Sequence, residues 1–207
     1  MNAMKVDTLP IGLYQENTYV LHDQGHVLII DPGGHAEYVA AAIKNDETVD
    51  AILLTHGHED HIAAVDDLYD LYHCPIYLHP GDAFMVDPKY GTGSFSRPVY
   101  SPIQEFTEGK MKIGAFDLDI IFTPGHSKGS VCVLYRNRLF SGDTLFAGSI
   151  GRTDLEGGDD AEMVQSLKRL RELPGDLWVY PGHGYATTIA QEKETNPFLH
   201  YLRADLY

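Results

Sequence analysis

Nine short apolar runs punctuate this chain, with amphipathic or polar stretches between them. Residues 5–9, 18–22, 27–31, 51–55, 76–78, 117–122, 131–135, 138–141 and 177–180 each read as a strand, being short, apolar and bounded by turn-forming residues. The first few lie close together and read as a meander, joined by turns such as Asp23-Gln24-Gly25. Three helices fall between the runs. Ala36, Val39, Ala40 and Ile43 recur at helical spacing after Gly33-Gly34, and Ile62, Val65, Leu68 and Tyr72 do so further on. The third spans 159–173, with Asp159 as N-cap, Glu162 three residues later, and Val164, Leu167 and Leu170 as its core stripe before Pro174-Gly175. A last short helix starts at Asn196-Pro197, where asparagine caps and proline takes the first turn. Strands alternating with amphipathic helices predict an α/β domain.

Between residues 89 and 108 the periodicity disappears, and Tyr90, Phe95, Tyr100 and Phe106 are scattered among Gly, Ser, Pro and Thr. That segment reads as a surface loop or as a flap over an active site. No linker or repeat divides the 207 residues, which predicts one domain, and the 43% apolar content allows a substantial core. No apolar run approaches the length of a membrane span, and the first residues carry no secretory apolar stretch, so a cytoplasmic protein is expected. Cys74 and Cys132 lie far apart in apolar settings and read as buried free thiols, in keeping with a reducing compartment. The net charge of −15, from 30 acidic and 15 basic side chains, repels phosphodiesters and anionic membranes. Nucleic acid and membrane are therefore not expected as partners.

Chemistry is concentrated in Thr55-His56-Gly57-His58-Glu59-Asp60-His61, directly behind an apolar run. Imidazole nitrogens and carboxylate oxygens are the donors that zinc and its first-row neighbours prefer. Further donors follow other strands: His126 in Pro124-Gly125-His126-Ser127, Asp143 in Ser141-Gly142-Asp143, and His183 in Pro181-Gly182-His183-Gly184. Residues at strand ends converge on one rim of a sheet, where sites are built. His22, His26, His35, His73, His79 and His200 have no such setting and read as surface or packing residues.

In their order and spacing these four motifs, HxHxDH, Pro-Gly-His-Ser, Gly-Asp and Gly-His, resemble the metallo-β-lactamase superfamily over nearly the whole chain. The resemblance implies an α+β fold, a four-layer αβ/βα sandwich of two mixed β-sheets flanked by helices. It implies a first metal on His56, His58 and His126, a second on Asp60, His61 and His183, and Asp143 between them. The di-iron flavoprotein branch has glutamate where this chain has His58, which favours a hydrolase. Residues 140–146, 151–155, 182–185 and 196–199 are similar to the glyoxalase II-like (hydroxyacylglutathione hydrolase-like) group. Longer members of that group grip glutathione with basic residues after the last metal histidine. Here Lys193 and Arg203, besides His200, are the basic groups in that region, so the chain resembles the short, single-domain branch. Tyr185 matches a tyrosine that contacts glutathione in the longer members.

The expected cofactors are two divalent ions, with zinc the leading choice and iron or manganese alternatives. Such a pair lowers the pKa of a shared water, which Asp60 is expected to orient toward the carbonyl of a small-molecule thioester or ester. Arg152, paired with Asp154 or steering substrate, is the other candidate contact. Two further chemistries share this scaffold: a persulfide dioxygenase holding one iron on the equivalents of His56, His126 and Asp143, and a lactone or ester hydrolase. A non-catalytic metal-binding module is the expectation from another class.

Overall fold

The computed structural model describes residues 4–89, 95–200 and 202. Tyr90 of the expected flap and Arg203 of the tail lie outside them. The first half of the chain forms strands β1 (Lys5–Ile11), β2 (Glu16–Asp23), β3 (His26–Ile30), β4 (Thr48–Leu53), β5 (Ile76–Leu78) and β6 (Ile103–Glu105). They form one mixed sheet in sequence order, antiparallel from β1 to β3 and parallel from β3 to β6. Helices α1 (Ala36–Ala41), α2 (Glu59–Ile62), α3 (Val65–Tyr72) and α4 (Ala83–Val86) belong to this half. The second sheet runs β14-β13-β10-β9-β8-β7. Its strands are β7 (Gly109–Ile113), β8 (Phe116–Phe122), β9 (Val131–Tyr135), β10 (Arg138–Gly142), β13 (Trp178–Pro181) and β14 (Thr187–Thr188), with β10 and β13 parallel and the other neighbours antiparallel. A hairpin of β11 (Leu145–Phe146) and β12 (Ser149–Ile150) follows β10. Helices α5 (Asp160–Arg171), α6 (Ile189–Thr195) and α7 (Pro197–His200) complete the chain.

The period-2 side-chain alternation of a strand explains the layering. Val20, Ile29 and Ile52 point away from the second sheet and pack with Val39, Leu68 and Met85 of the helices. Their neighbours Leu21, Leu28 and Leu53 face the second sheet and meet Phe116, Leu118, Val133 and Phe140. On the far side of that sheet, Leu139 and Val179 pack with Met163, Leu167, Leu170 and Leu199. Three apolar cores between four layers give the αβ/βα sandwich. Large, fully buried side chains such as Phe116, Phe140 and Ile52 each contribute roughly 1.5–3 kcal/mol relative to exposure.

Several expected elements differ in detail. The helix expected through Ile62, Val65, Leu68 and Tyr72 is broken into α2 and α3, with Ala64 capping the second. The break lets α2 carry Asp60 and His61 while α3 packs independently. In α5 the stripe is Met163, Leu167 and Leu170; Val164 is 36% exposed. With methionine at 163 the stripe takes the i, i+4, i+7 spacing of a helix face, in place of the i, i+3, i+6 of the expected one. Asp159 caps α5 as expected, accepting from the Glu162 N–H at 2.8 Å. The stretch from 89 to 108 contains β6 and the buried Phe106, so part of it is sheet edge rather than loop. Both cysteines are buried and free, and no helix among the described residues is long and apolar enough to cross a membrane.

Candidate metal centre

Four segments deliver donors to one end of the two sheets. After β4 the chain places His56, then His58 at the N-cap of α2, then Asp60 and His61 inside that helix. The loop between β8 and β9 carries His126, the turn after β10 carries Asp143, and the loop after β13 carries His183. The ring centroids of His56 and His61 are 4.1 Å apart, and those of His58 and His126 4.6 Å. One nitrogen each of His56, His58 and His126 lie mutually within 4.8 Å, and so do donor atoms of Asp60, His61 and His183. Asp143 stands between the two groups. Its Oδ2 is 3.5 Å from Nε2 of both His126 and His183, and its Oδ1 is 3.4 Å from His61 Nε2.

The ring orientations follow from hydrogen bonds on the outer side. Asp31, a carboxylate that can only accept, takes the Thr55 hydroxyl proton at 2.5 Å and the Thr55 N–H at 2.7 Å. Thr55 Oγ1 has therefore spent its proton and accepts from His56 Nδ1 at 3.0 Å. His61 Nδ1 donates to Asp31 at 2.9 Å, His126 Nδ1 to the Arg152 carbonyl at 2.7 Å, and His183 Nδ1 to the Tyr14 carbonyl at 3.0 Å. In these four imidazoles Nε2 is turned toward the common centre. Such outer partners fix the tautomer and orient a metal-binding histidine. His56 Nε2, His61 Nε2 and Asp143 Oδ1 are buried with no hydrogen-bond partner. Unpaired buried polar atoms are costly, and a cation at the centre satisfies all three. The residues present fit divalent metal.

Backbone placement is equally constrained. A Cβ on Gly182 would fall 2.2 Å from Asp143 Oδ1 and 2.7 Å from His61 Cε1, so no larger residue fits where the His183 loop crosses the site. Gly142 has φ +47°, and a Cβ there would meet Thr55 Oγ1 at 2.4 Å. Three polar residues to which the sequence reading assigned no role support the donors. Asp82 is buried and accepts from Gly57 N at 2.9 Å, Ser127 Oγ at 2.6 Å and Gly129 N at 2.6 Å. It ties the His56–His58 segment to the His126 loop. Asn17 donates to the carbonyls of Pro181 and Gly184, on either side of His183. Asp31 itself sits at φ 49° directly after β3, where a strand again ends in a donor; that repeated pattern could have revealed it.

Protonation divides the centre in two. Burial, reinforced by the neighbouring imidazoles, pushes His56 well below the ordinary histidine range and His58 down to about 3. Burial also opposes charge on His61 and His183, but Asp143 with Asp31 or Asp60 overrides it, raising His61 well above its usual value and His183 to about 10. For Asp143, burial favours the neutral acid, yet His61 and His183 hold it well below the usual carboxylate range. Asp60 is likewise kept ionised by His183 and His61 against burial. His56 and His58 are thus neutral and ready for a cation near pH 7, whereas His61 and His183 hold protons that a cation must expel. Loading the second group is expected to release protons and to tighten as pH rises through neutrality, because His61 and His183 are both raised. His56 and His58 are expected to contribute little to proton release on loading near neutral pH. Calorimetric metal titrations in buffers of different ionisation enthalpy, repeated from pH 6 to 9, check this; equal proton release at both steps would contradict it.

The donors floor a cavity of about 430 Å³ whose walls include Tyr14, Phe95, Phe146, Leu155 and Arg152. Arg152 forms a two-pronged pair with Asp154, at 2.6 and 2.8 Å. Tyr185 is 87% exposed and is not among the lining residues.

The description of the Metallo-beta-lactamase superfamily matches residues 11–183, and the chain belongs to that superfamily. Among its relatives, the probable metallo-hydrolase YqgX of Bacillus subtilis is 38% identical over 95% of this chain and 98% of its own length. The hydroxyacylglutathione hydrolase GloC of Haemophilus influenzae is 33% identical over 95% and 98%. Among solved structures, the BLEG-1 B3 metallo-beta-lactamase superposes with TM-score 0.86 at 41% identity, covering 94% of this chain and 99% of that one. TTHA1623 in a di-iron-bound form gives 0.80 at 38%, covering 94% and 100%. ETHE1 from Myxococcus xanthus gives 0.75 at 27%, covering 97% and 90%.

Proposed function

We propose that this chain is a dinuclear metal-dependent hydrolase that cleaves acyl thioesters, with His56, His58 and His126 holding one ion, Asp60, His61 and His183 the other, and Asp143 shared between them. The observation that carries this reading is the set of four imidazoles whose Nδ1 atoms are engaged outside the site while Nε2 faces inward, with His56 Nε2, His61 Nε2 and Asp143 Oδ1 buried there and unpartnered. The histidine-only group suits zinc, and the carboxylate-containing group also suits iron or manganese. The relative seen in a di-iron form fits that breadth. When bound, the ions supply a Lewis acid for the acyl oxygen and a water of lowered pKa.

The protein's own residues do the rest. Asp60 is ionised and half-buried at the cavity floor, where it orients the attacking water and accepts its proton. Tyr14, Phe95 and Phe146 confine the substrate and limit bulk water around the acyl carbon. A C–O bond forms as the C–S bond breaks, and the sulfur leaves with the bonding electrons as thiolate. A thioester fits this site because a thiolate departs without prior protonation, unlike an amine. Lactones and oxygen esters call on the same groups. The two buried free thiols fit a reducing, cytoplasmic setting. The 207 residues act as one catalytic domain on a small molecule, and their −15 charge disfavours nucleic acid and anionic membranes.

The test is turnover of a panel of thioesters, lactones and a β-lactam by metal-loaded protein, with Asp60→Asn as control. Loss of a general base lowers rate about 10²–10⁴-fold, so the variant is expected to fall by that factor on thioesters; unchanged turnover would remove Asp60 from the chemistry. The second reading, a one-iron persulfide dioxygenase, is favoured by the likeness to ETHE1. The convergence of Asp60, His61 and His183 weighs against it. One iron per chain with persulfide-dependent oxygen uptake would select it.

A further inference from the structure

Resting on the thioesterase reading above, we infer that the cleft is built for a substrate presenting an uncharged, apolar group beside the acyl carbon, and that it discriminates against thioesters of carboxylate-bearing thiols such as glutathione. The walls carry the first part of the argument. Phe95 occupies a left-handed backbone conformation, φ 67°, which is uncommon for a bulky residue. It is held there by the Glu59 N–H, which donates to its carbonyl at 2.8 Å. That tether turns the Phe95 ring toward Tyr14 and His58, each 6.3 Å away between centroids. Across the donors, the Phe146 ring stands edge-on to His183 at 6.0 Å, and Leu155 adds a further apolar surface. Backbone strain at a ligand clamp persists where the surroundings enforce it. Here it sets an aromatic wall next to the metal donors.

Charge carries the second part. Among the described residues lining the cleft, Arg152 is the one cation apart from the histidines of the metal centre, and one edge of its guanidinium, Nε and Nη2, is already paired with Asp154. A carboxylate of an incoming thiol therefore meets the only guanidinium in the cleft with its charge already largely balanced by a resident carboxylate. It must also approach a chain of net charge −15, whose field repels anions. An apolar thiol meets neither penalty and buries its surface against Phe95, Phe146 and Leu155.

Two substrates with a common acyl group test this: acetyl thioesters of benzyl mercaptan and of glutathione, hydrolysed by metal-loaded protein. In each, water adds to the acyl carbon and acetate and the free thiolate are released with two protons. The benzyl thioester is expected to show kcat/KM at least about tenfold higher, the scale on which an apolar pocket discriminates. Phe146→Ala is expected to remove most of that advantage through KM. Raising the salt concentration is expected to increase kcat/KM for the glutathione thioester, because repulsion is screened, and to leave the benzyl thioester unchanged. Asp154→Ala frees Arg152 and is expected to improve the glutathione thioester alone. Binding is read separately, by calorimetry, with the non-hydrolysable thioethers benzyl acetonyl sulfide and S-acetonylglutathione. Preference for the glutathione compounds in turnover and binding would overturn the inference and leave the hydrolase reading standing. Tighter binding of the benzyl thioether with no turnover of either thioester would overturn the hydrolase reading and leave the cleft's selectivity intact.

Discussion

Replacing Asp143 with asparagine is expected to weaken divalent-metal binding by about two to three orders of magnitude while leaving the chain folded. Removing one partner of a buried charged pair costs roughly 3–5 kcal/mol, and each 1.4 kcal/mol is about tenfold in affinity. Asp143 stands between the two donor groups, 3.4–3.5 Å from the Nε2 atoms of His61, His126 and His183. On the dinuclear reading its loss would affect both ions. The amide keeps the shape but not the charge, so proton bookkeeping changes in the same direction: His61 and His183 lose a principal partner that raises them. Fewer protons are then expelled when metal binds the variant. Competition against a chromophoric chelator measures the affinity, and proton release measured alongside separates loss of charge from general misfolding. A variant that binds both ions as tightly as the parent would mean that Asp143 is no ligand.

The second large effect is expected at Asp31, and it should appear in stability as well as in metal binding. Asp31→Ala leaves the Thr55 hydroxyl, the Thr55 N–H and His61 Nδ1–H without their shared acceptor in a fully buried place. Breaking such a buried charged network costs roughly 3–5 kcal/mol. For a chain of this size that corresponds to a fall in Tm of about 6–20 °C, at about 2–4 °C per kcal/mol. Thermal unfolding of metal-free and metal-loaded protein checks it. A fall confined to the metal-loaded form would show that Asp31 acts only by orienting His61, and would contradict the role as a structural hub.

What the chain betrayed before folding follows from how local each signal is. The central strands β3, β4, β9 and β10 are short apolar runs whose neighbours in sequence are turns, so period and burial coincide. β6, β11, β12 and β14 span only two or three residues, too few for a period to show along the sequence. β7, Gly-Lys-Met-Lys-Ile, hides its alternation under two exposed lysines. The metal donors were legible because imidazole is rare and clustered. Asp82 and Asn17 were not, since such residues are ordinary at a surface and only the tertiary structure reveals that these two are buried, while for Asp31 the one signal was its place at the end of a strand. Asp82 follows His79-Pro80-Gly81, a stretch that looks like any surface turn, yet it closes three hydrogen bonds between segments 45 or more residues apart in two of them. The split of α2 from α3 was likewise invisible, because apolar spacing runs through the break.

The two sheets meet the site from opposite sides of their common core: His56, His58 and His61 come from the first half of the chain, and His126, Asp143 and His183 from the second. On the dinuclear reading proposed above, each ion would span the seam between the halves. Ligand that binds only the native state adds RT ln(1 + [L]/Kd) to its stability, and here that increment is spent on cohesion between the halves. A cell short of metal would hold a looser version of this protein, opening along the seam and more readily taken by proteases, so its abundance would follow the metal supply.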